Sequence, residues 1–259
     1  MRFCVLGSGS KGNCTYIEVG ATKLLIDAGF TAIEIERRLA GIGVEATTLS
    51  AILITHEHSD HIRGVSVLSR RYGLPVLASS ATIEASGVVL AKLHSHTGFM
   101  PGVTFKFADL EIHPFSVSHD AADPVGFLIS DGTLTFGYCT DTGTVSRLIQ
   151  HRLSGCHALV IESNHDPDML RNGPYPPALK QRVRSKTGHL ANQEAATLLA
   201  DLIHEDLKHV TLAHISETNN RPELVRECVS HLCGFKTLRI ALAGQDEAGE
   251  LVDLSGLVC

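Results

Sequence analysis

Short apolar runs, several of them alternating with polar residues, dominate the first half of the chain. A period of two is typical of a strand with one buried face, and a short continuous apolar run is typical of a strand buried on both faces. These patterns predict strands at residues 3–6, 15–19, 23–27, 51–55, 76–78, 103–107, 110–117, 125–130 and 134–139. Turn residues at Asp131-Gly132 and Gly20-Ala21 predict tight hairpins between neighbouring strands.

Other segments repeat their apolar residues at intervals of three and four, which is typical of amphipathic helices. The predicted helices lie at residues 32–39, 61–72, 145–153, 192–204 and 222–232. Strands and helices alternate without a regular strand–helix–strand repeat, so we expect an α/β sandwich rather than a doubly wound sheet. Residues 165–188 form the least regular segment, and they combine several prolines with basic side chains. We interpret that segment as an ordered basic surface insertion in one domain spanning residues 1–259.

Composition limits the class of protein. The 259 residues, 44% of them apolar, suffice for one hydrophobic core. No apolar run approaches the roughly 20 residues that cross a bilayer, and Gly7 interrupts the only apolar stretch at the start. The seven cysteines are scattered and include no CxxC pair, so we expect reduced, mostly buried thiols and a cytoplasmic location without membrane contact.

Net charge and histidine content point in different directions. The formal net charge is -6, so any contact with a polyanion has to come from a local basic patch or from metal ions. The chain contains 15 histidines, and neutral imidazole is the commonest metal ligand in proteins. A metal site is therefore the first chemistry to look for.

The strongest candidate for that site is the segment 52–61, in which a buried strand leads into a run of histidines and an aspartate. The alternation of a strand would point His56 and His58 to the same side, where they could share an ion. A helix begins directly afterwards, so Asp60 and His61 would return toward the same place and serve a second ion. Bunched imidazoles and a carboxylate are costly to desolvate without a cation, which argues against a purely structural role.

Three further donors follow predicted strands. His119 comes after the strand 112–117, Asp141 after the strand 134–139 and His214 after residues 210–213. A single histidine at such a place is more often a partly buried structural residue than a ligand. Together, however, these residues would complete two sites, with Asp141 bridging two divalent ions. Nitrogen and oxygen donors without thiolate suit Zn²⁺, and also manganese or iron.

This order of residues resembles the metallo-β-lactamase fold superfamily over nearly the whole chain. Within it, five segments resemble the YycJ/WalJ group: residues 7–13, 138–143, 162–166, 188–190 and 212–216. The resemblance implies a single-domain, four-layer αβ/βα sandwich holding two metal ions, and a DNA exonuclease of 5′ to 3′ polarity. It assigns His56, His58 and His119 to the first ion, Asp60, His61 and His214 to the second, and Asp141 to both. The bridging position holds no cysteine, which separates this chain from the antibiotic-hydrolysing members.

A pair of divalent ions suits phosphodiester chemistry, because it activates a bridging hydroxide as the nucleophile and stabilises the charge of the transition state. Asp60 and His189 are the catalytic candidates, with His189 contacting the scissile phosphate or protonating the leaving oxygen. A structural histidine ahead of a helix is the alternative for His189. We expect Glu162 and Asp166 to be supporting or structural groups, Glu162 orienting a ligand histidine.

Six residues are candidates for substrate binding. Ser10 and Asn13 belong to a Gly/Ser-rich turn that precedes a strand and so is not a P-loop; a turn without any ligand is the alternative. The basic residues of the insertion are Lys180, Arg182, Arg184 and Lys186. They would all project to one side if the segment were extended, and would spread around the axis if it were helical. Solvated surface charge is the alternative reading.

The sequence thus favours a nuclease or phosphodiesterase acting on nucleic acid, with DNA a better candidate than RNA. One alternative is a small-molecule metallo-hydrolase acting on a cyclic phosphodiester, lactone or thioester with the same metals. A second is a non-hydrolytic diiron redox or binding module. The sequence does not fix the oligomeric state.

Overall fold

The computed structural model describes residues 1–232 and 238–256, and in it two β-sheets pack face to face with helices on both outer surfaces. The strands of the first sheet are β1 (Arg2–Gly7), β2 (Cys14–Val19), β3 (Thr22–Ile26), β4 (Ala51–Leu53), β5 (Pro75–Ser79), β6 (Ser95–Phe99) and β14 (Val252–Asp253). Those of the second are β7 (Phe105–Phe107), β8 (Leu110–Ser116), β9 (Val125–Ser130), β10 (Thr135–Cys139), β11 (Ala158–Glu162), β12 (His209–Ala213) and β13 (Arg239–Leu242). Within these residues the orders are β14-β1-β2-β3-β4-β5-β6 and β13-β12-β11-β10-β9-β8-β7.

Most of the helices pack on the outer faces of these sheets. The helices are α1 (Ala32–Gly41), α2 (Ser59–Ile62), α3 (Val65–Tyr72), α4 (Ser80–Ala85), α5 (Arg147–Leu153), α6 (Pro167–Asn172), α7 (Pro177–Val183), α8 (Asn192–Leu202) and α9 (Pro222–Val229). Of these, α6 and α7 lie beside the cavities described below. Short 3₁₀ turns lie at Ala46–Thr48, Gly87–Val89 and Ser230–Leu232. In the described part of the chain, no helix has the length and apolar character needed to cross a bilayer.

Three apolar layers hold the sandwich together. The central layer lies between the sheets and contains Phe3, Phe127 and Phe136. One outer layer joins the first sheet to α1 and α3, and the other joins the second sheet to α5, α8 and α9. In α8 the buried residues Ala195, Leu198, Leu199 and Leu202 recur at intervals of three and four, so one stripe of the helix faces the sheet. The predicted four-layer αβ/βα sandwich is confirmed.

Strand direction matters for the site. In the first sheet β3 is parallel to β4. Strand β1 runs in the same direction as β3, because β1 and β3 are both antiparallel to β2. In the second sheet β10, β11 and β12 are mutually parallel, and β8 runs with them because β9 is antiparallel to both β8 and β10. The carboxyl ends of four neighbouring or near-neighbouring strands therefore lie along the same edge of the second sheet.

Several predicted boundaries were wrong. The helix expected at 61–72 is two helices, α2 and α3, because the chain turns at Gly64, where a Cβ would lie 2.4 Å from the carbonyl oxygen of Phe30. The strand expected at 51–55 ends at Leu53. Strands β6, β11, β13 and β14 were missed, β6 because four of its five residues are exposed on an edge strand and give no apolar pattern.

The cysteine prediction is confirmed for the described part of the chain. Its thiols are free, and those of Cys4, Cys14, Cys139 and Cys156 are buried, while Cys228 is partly buried. Cys233 and Cys259 lie outside the described residues.

A buried arginine ties α1 to the segment that precedes the Gly/Ser-rich turn. Arg38 donates to the carbonyl oxygens of Leu6, Gln245 and Asp246 at 2.7 to 3.1 Å, and its guanidinium lies 4.0 Å from the ring centroid of Phe30. Its side chain is only 5% exposed. These bonds join the end of β1 to the loop after β13, and so they fix the start of the turn that carries Asn13.

We expect Arg38→Met to lower the free energy of unfolding by about 3 kcal/mol, because it leaves several buried carbonyl groups without donors. The neighbouring Arg37 is 64% exposed and pairs only with Glu34, so Arg37→Met should change stability little. Urea unfolding followed by circular dichroism measures both. Equal effects of the two substitutions would show that the buried bonds of Arg38 do not stabilise the fold.

Candidate dinuclear metal site

The predicted metal donors meet where strands of the two sheets end. The segment 54–61 follows β4, and the residues that follow β8, β10 and β12 include His119, Asp141 and His214. Because these strands run in compatible directions, their carboxyl ends bring residues far apart in the chain to one place. Nine residues with ligand atoms close enough to share an ion gather there: the seven predicted donors His56, His58, Asp60, His61, His119, Asp141 and His214, and also Glu162 and His189, which group with Asp141 and His214.

Three imidazoles form the first group of donors. His56 Nε2 lies 3.1 Å from His58 Nδ1, which lies 3.3 Å from His119 Nε2. Nitrogen ligands at about 2.0–2.1 Å from a tetrahedral ion stand roughly 3.3 Å apart. The three nitrogens therefore have the spacing of ligands that share one ion.

Asp60, His61 and His214 form the second group. Asp60 Oδ2 is 3.6 Å from His61 Nε2 and 3.8 Å from His214 Nε2. Asp141 lies between the groups: Oδ2 is 3.5 Å from His61 Nε2, while Oδ1 is 3.4 Å from His214 Nε2 and 4.0 Å from His119 Nε2. A carboxylate in this position can bridge two ions.

Buried polar groups hold the donors from behind. Asp27 Oδ2 accepts from His61 Nδ1 at 2.7 Å, and Asp27 also accepts from the backbone N–H and hydroxyl of Thr55. Gly188 O is 3.1 Å from His119 Nδ1, and Asn164 Nδ2 is 3.0 Å from His214 Nδ1. A carboxylate or carbonyl on the second ring nitrogen fixes the tautomer and orientation of a metal-binding histidine.

Backbone conformation at the site is strained. Asp27, Asp141 and His214 have φ values of 61°, 56° and 55°, and Ala108 is the only other non-glycine residue with positive φ in the described ranges. Left-handed backbone is costly for residues with a Cβ and persists where surrounding structure enforces it. Three such residues at one place show that the surrounding structure holds these side chains in directions that a regular strand end would not give.

Charges at the site are strongly coupled. Burial lowers the pKa of His61, but Asp141, Asp27 and Asp60 outweigh it and raise that pKa to about 9. Burial also opposes ionisation of Asp141, yet His214 and His61 hold its pKa well below the usual value. The cluster therefore contains ionised carboxylates, which attract positive charge from protons or from metal ions.

The residues fit a pair of divalent ions. Asp141 Oδ2 and His214 Nε2 are buried and make no hydrogen bond within the described residues, although both are close to the other donors. Buried polar atoms without partners are rare in native proteins, and an ion is one of the few groups that satisfies them. All the donors are nitrogen or oxygen, and the nearby thiol of Cys139 is buried in a separate apolar layer.

The route by which the histidines converge differs from the predicted one. We expected His56 and His58 to project together from a strand, but β4 ends at Leu53. Ile54 N–H still donates to Leu77 O of β5, and His58 is the extended residue that precedes α2, with φ -61° and ψ 146°. His56 and His58 therefore lie in the segment between β4 and α2 rather than within the strand.

The candidates in the Gly/Ser-rich turn take different positions. Asn13 is fully buried, and its Nδ2 lies 3.1 Å from His61 Nε2 and 3.3 Å from Asp60 Oδ2. Its Oδ1 accepts from Ser8 and Gly9, so it shapes the turn. Ser10 is exposed and lies at the mouth of the site. Asn13 thus contacts predicted metal donors, while Ser10 faces the space above them.

The basic run of the insertion is divided. Residues 177–183 are helical, so the extended arrangement, in which four basic side chains share one face, is wrong. Only Arg182 reaches the metal site; its Nε donates to Asp120 Oδ2 at 2.5 Å. Lys180 and Arg184 line a separate cavity, and Lys186 lines neither. Helical periodicity sends these side chains in different directions.

His189 is next to the metal donors and is held by Glu162. His189 Nδ1 is 2.7 Å from Glu162 Oε1 and 3.8 Å from Asp141 Oδ1. Glu162 also lies 3.3 Å from His214 Nδ1 and accepts from the backbone N–H groups of Thr142 and Leu190. Burial opposes the charge of Glu162, but His189 and the hydrogen bonds lower its pKa to about 2.

Asp166 caps α6 by accepting from the backbone N–H groups of Asp168 and Met169, so its role is structural.

Several residues of the site were missed by sequence reasoning, and four of them stand out. Asp27, Asn164, Asp120 and Tyr175 contact donors or line the cavity above them. Asp27 carried a usable signal, because it directly follows a buried strand that pairs in parallel with β4. Tyr175 carried none, since its place depends on how the insertion folds back over the site.

A cavity of about 220 Å³ opens above the donors. Its floor includes His58, Asp60 and Asp141, and one wall is formed by Tyr175, Leu179 and other residues of the insertion. The cavity is thus open to a substrate at the donors and bounded by the insertion on one side.

Comparison with known proteins places these features in a family. The family profile described as Beta-lactamase superfamily domain matches residues 22–215. Exodeoxyribonuclease YycJ of Bacillus anthracis is 41% identical over 255 residues, which are 98% of this chain and 95% of the relative. Exodeoxyribonuclease WalJ of Streptococcus pneumoniae is 40% identical over 227 residues, or 86% and 84% of the two chains. The metallo-β-lactamase fold protein YhfI of Bacillus subtilis shares the fold, with a TM-score of 0.75 at 20% identity, covering 96% of this chain and 99% of YhfI.

We expect Asp27→Asn to weaken binding of one of two metal ions by about 10- to 100-fold, because the carboxylate that orients His61 is lost. Asparagine tolerates the left-handed backbone of this position, so the fold should persist. Competition with a metal-sensitive dye gives the affinity, and elemental analysis gives the stoichiometry. Asp131→Asn, in a hairpin turn where Asp131 contacts only backbone N–H groups, is the control. Two ions bound as tightly as in the wild type would refute the assigned role of Asp27.

Proposed function

Because the chain belongs to the β-lactamase superfamily, in its YycJ/WalJ-like group, we propose that it is a metal-dependent hydrolase that removes nucleotides from DNA. The observation that carries this proposal is the pair of donor groups joined by Asp141 at the floor of the cavity. Family membership supplies the activity, since YycJ of Bacillus anthracis and WalJ of Streptococcus pneumoniae are named exodeoxyribonucleases. The polarity of 5′ to 3′ follows from the resemblance of the sequence motifs and is part of the proposal.

We assign His56, His58 and His119 to one ion and Asp60, His61 and His214 to the other, with Asp141 shared. Two such ions lower the pKa of a bound water and stabilise the charge of an in-line phosphoryl transition state. Two aspartates supply two negative charges against four on the ions, so the loaded site remains cationic and favours an anionic substrate. Zinc is our first choice of metal, because imidazole and carboxylate donors without thiolate suit it; manganese and iron accept the same donors.

Side chains of the protein would bind and position the phosphate, and Arg182 is the main candidate. Arg182 stands at the wall of the cavity with its Nε held by Asp120, which leaves other guanidinium N–H groups to contact a phosphate oxygen. Asp120 Oδ1 is 3.5 Å from His119 Nε2, so Asp120 links this arginine to the metal donors. A phosphate held by Arg182 would lie directly above the cluster.

His189 is the candidate proton donor. Its Nδ1 is engaged by Glu162, so Nε2 is the ring nitrogen left for the substrate. Burial of Glu162 beside the ring keeps His189 in a fixed orientation at the cavity wall. A histidine in this position can protonate the leaving oxygen or donate a hydrogen bond to the phosphate.

The insertion, residues 165–188, would serve as one wall of the active site within a single domain. Its helices α6 and α7 place Tyr175, Leu179 and Val183 beside the metal donors. Aromatic and aliphatic side chains next to a phosphate site suit the base or sugar of a terminal nucleotide.

Purified protein supplied with zinc or manganese should degrade linear duplex and single-stranded DNA, while His58→Ala should lose nearly all of this activity. DNA labelled at one end or the other, followed on a denaturing gel, reports both activity and polarity. A lactone, a thioester and a chromogenic phosphodiester are assayed in parallel. Turnover of the lactone or thioester alone would refute the nuclease, and oxidisable iron without any hydrolysis would indicate a redox module.

His189→Ala should reduce kcat on DNA by about 10²- to 10⁴-fold, the range expected for loss of a general acid. Its metal content, measured by elemental analysis, should stay at the wild-type value because the ring is not assigned to either ion. His151→Ala, on the far helix α5, is the histidine control. Parallel loss of metal and activity would mean that His189 is a metal ligand.

A further inference from the structure

A second cavity lies in the insertion, between α6 and α7, and we name it the α6–α7 pocket. Its volume is about 320 Å³. The residues of its lining that bear on its chemistry are His165, Leu170, Arg171, Pro177, Lys180 and Arg184. It shares no lining residue with the cavity above the metal donors, within the described parts of the chain.

The charged side chains of the α6–α7 pocket are all cationic. Arg171, Lys180 and Arg184 line it, and no described acidic residue does. Arg171 pairs with Asp168 outside the lining, and Lys180 Nζ donates to the carbonyl oxygen of Arg171 at 2.8 Å. The guanidinium of Arg184 has no side-chain partner in the described chain. In a protein with a net charge of -6, this grouping is a local anion-binding surface.

A buried histidine adds a second, independent sign of a ligand. His165 is only 4% exposed, it lines the pocket, and its Nδ1 has no hydrogen-bond partner among the described residues. A buried polar atom without a partner is expected to find one in a ligand or ordered water. His165 therefore contributes an unpaired polar atom beside the pocket, and this atom is itself closed off from solvent.

Apart from Gln181, the rest of the lining is apolar. Pro167, Leu170 and Pro177 contribute a floor without hydrogen-bonding side chains. A cationic rim above an apolar floor matches a nucleotide, with its phosphate at the rim and its sugar or base on the floor. A bare inorganic anion would leave that floor exposed.

The position of the pocket links it to the proposed activity. Leu179, Arg182 and Val183 of α7 face the metal cavity, while Pro177, Lys180 and Gln181 face the α6–α7 pocket. The two sites are therefore separated by about one helix diameter, roughly 10 Å. A strand that contacts both sites has to pass around α7, and successive phosphates of an extended single strand lie further apart than the 3.4 Å rise of a duplex, so the remote contact falls on the order of two nucleotides from the scissile bond.

We propose that the α6–α7 pocket binds one nucleotide of the DNA strand at a phosphate a few nucleotides from the scissile bond. This inference rests on the proposed function, and it deepens it by adding a remote contact to the strand. Arg182 then serves the phosphate at the metal donors, while Lys180 and Arg184 serve the remote one. The basic residues of the insertion thus act at two places on opposite faces of α7.

The test compares the double variant Lys180→Gln/Arg184→Gln with Lys186→Gln, which removes a charge from the same insertion outside both cavities. Single-stranded DNA of 12 nucleotides and a dinucleotide serve as substrates. We expect the double variant to raise KM for the 12-mer by about 10-fold or more and to change KM for the dinucleotide far less, because the dinucleotide is too short to reach the pocket. The dependence of log Kd on log salt should become shallower by about 0.7, the contribution of one phosphate contact to a single strand.

Binding is measured separately from cleavage, by fluorescence anisotropy of the labelled 12-mer on the His58→Ala background. Weaker binding by the double variant alone supports the pocket even if the wild type cleaves no DNA, an outcome that would overturn only the proposed function. If the wild type cleaves DNA but the double variant binds and cleaves like Lys186→Gln, the remote contact is wrong and the nuclease stands. If the double variant loses binding of free deoxyadenosine monophosphate but not of the 12-mer, the pocket serves a free nucleotide, and the strand contact is wrong.

Discussion

The structure depends on the electrostatic problem of placing five imidazoles and two carboxylates in one largely buried cluster. Without cations, nitrogen lone pairs would face one another across 3.1 to 3.3 Å, and Asp141 and His214 would keep buried atoms without hydrogen bonds. Metal ions remove both penalties at once, since each lone pair gains a partner and the carboxylates gain positive charge. The fold and the supporting groups make sense as the means of keeping this cluster assembled.

That support comes from behind the donors as much as from the strands. Asp27 fixes His61, Glu162 contacts both His189 and His214, and a backbone carbonyl holds His119. Left-handed backbone at Asp27, Asp141 and His214 aims these side chains at directions that a regular strand end would not give. Apolar burial in the sandwich offsets the cost of this backbone conformation. It comes from one apolar layer between the sheets and one on each outer face.

The insertion, residues 165–188, shapes the surroundings of the candidate metal site. Helix α7 forms a wall of the metal cavity with one face and a wall of the cationic α6–α7 pocket with the other. A helix that separates two anion-binding places is suited to a polymeric anion, because one strand can reach both. The net negative charge of the chain is therefore no obstacle, since what a strand meets is local charge rather than the total.

The sequence by itself determined the class of fold and predicted the seven donor residues that the structure brings together. The periods of the strands and helices predicted the sandwich. The segment 56–61 indicated a metal site, because clustered histidines and an aspartate are costly to bury without a cation. What only the tertiary structure decided is how distant groups meet. Asp27 and Asn164 act on histidines through contacts that span 34 and 50 residues of sequence, and no local pattern encodes such contacts. Likewise, the sequence was compatible with two conformations of the basic run. In the structure residues 177–183 are helical, so Arg182 faces the metal donors and Arg184 faces the α6–α7 pocket.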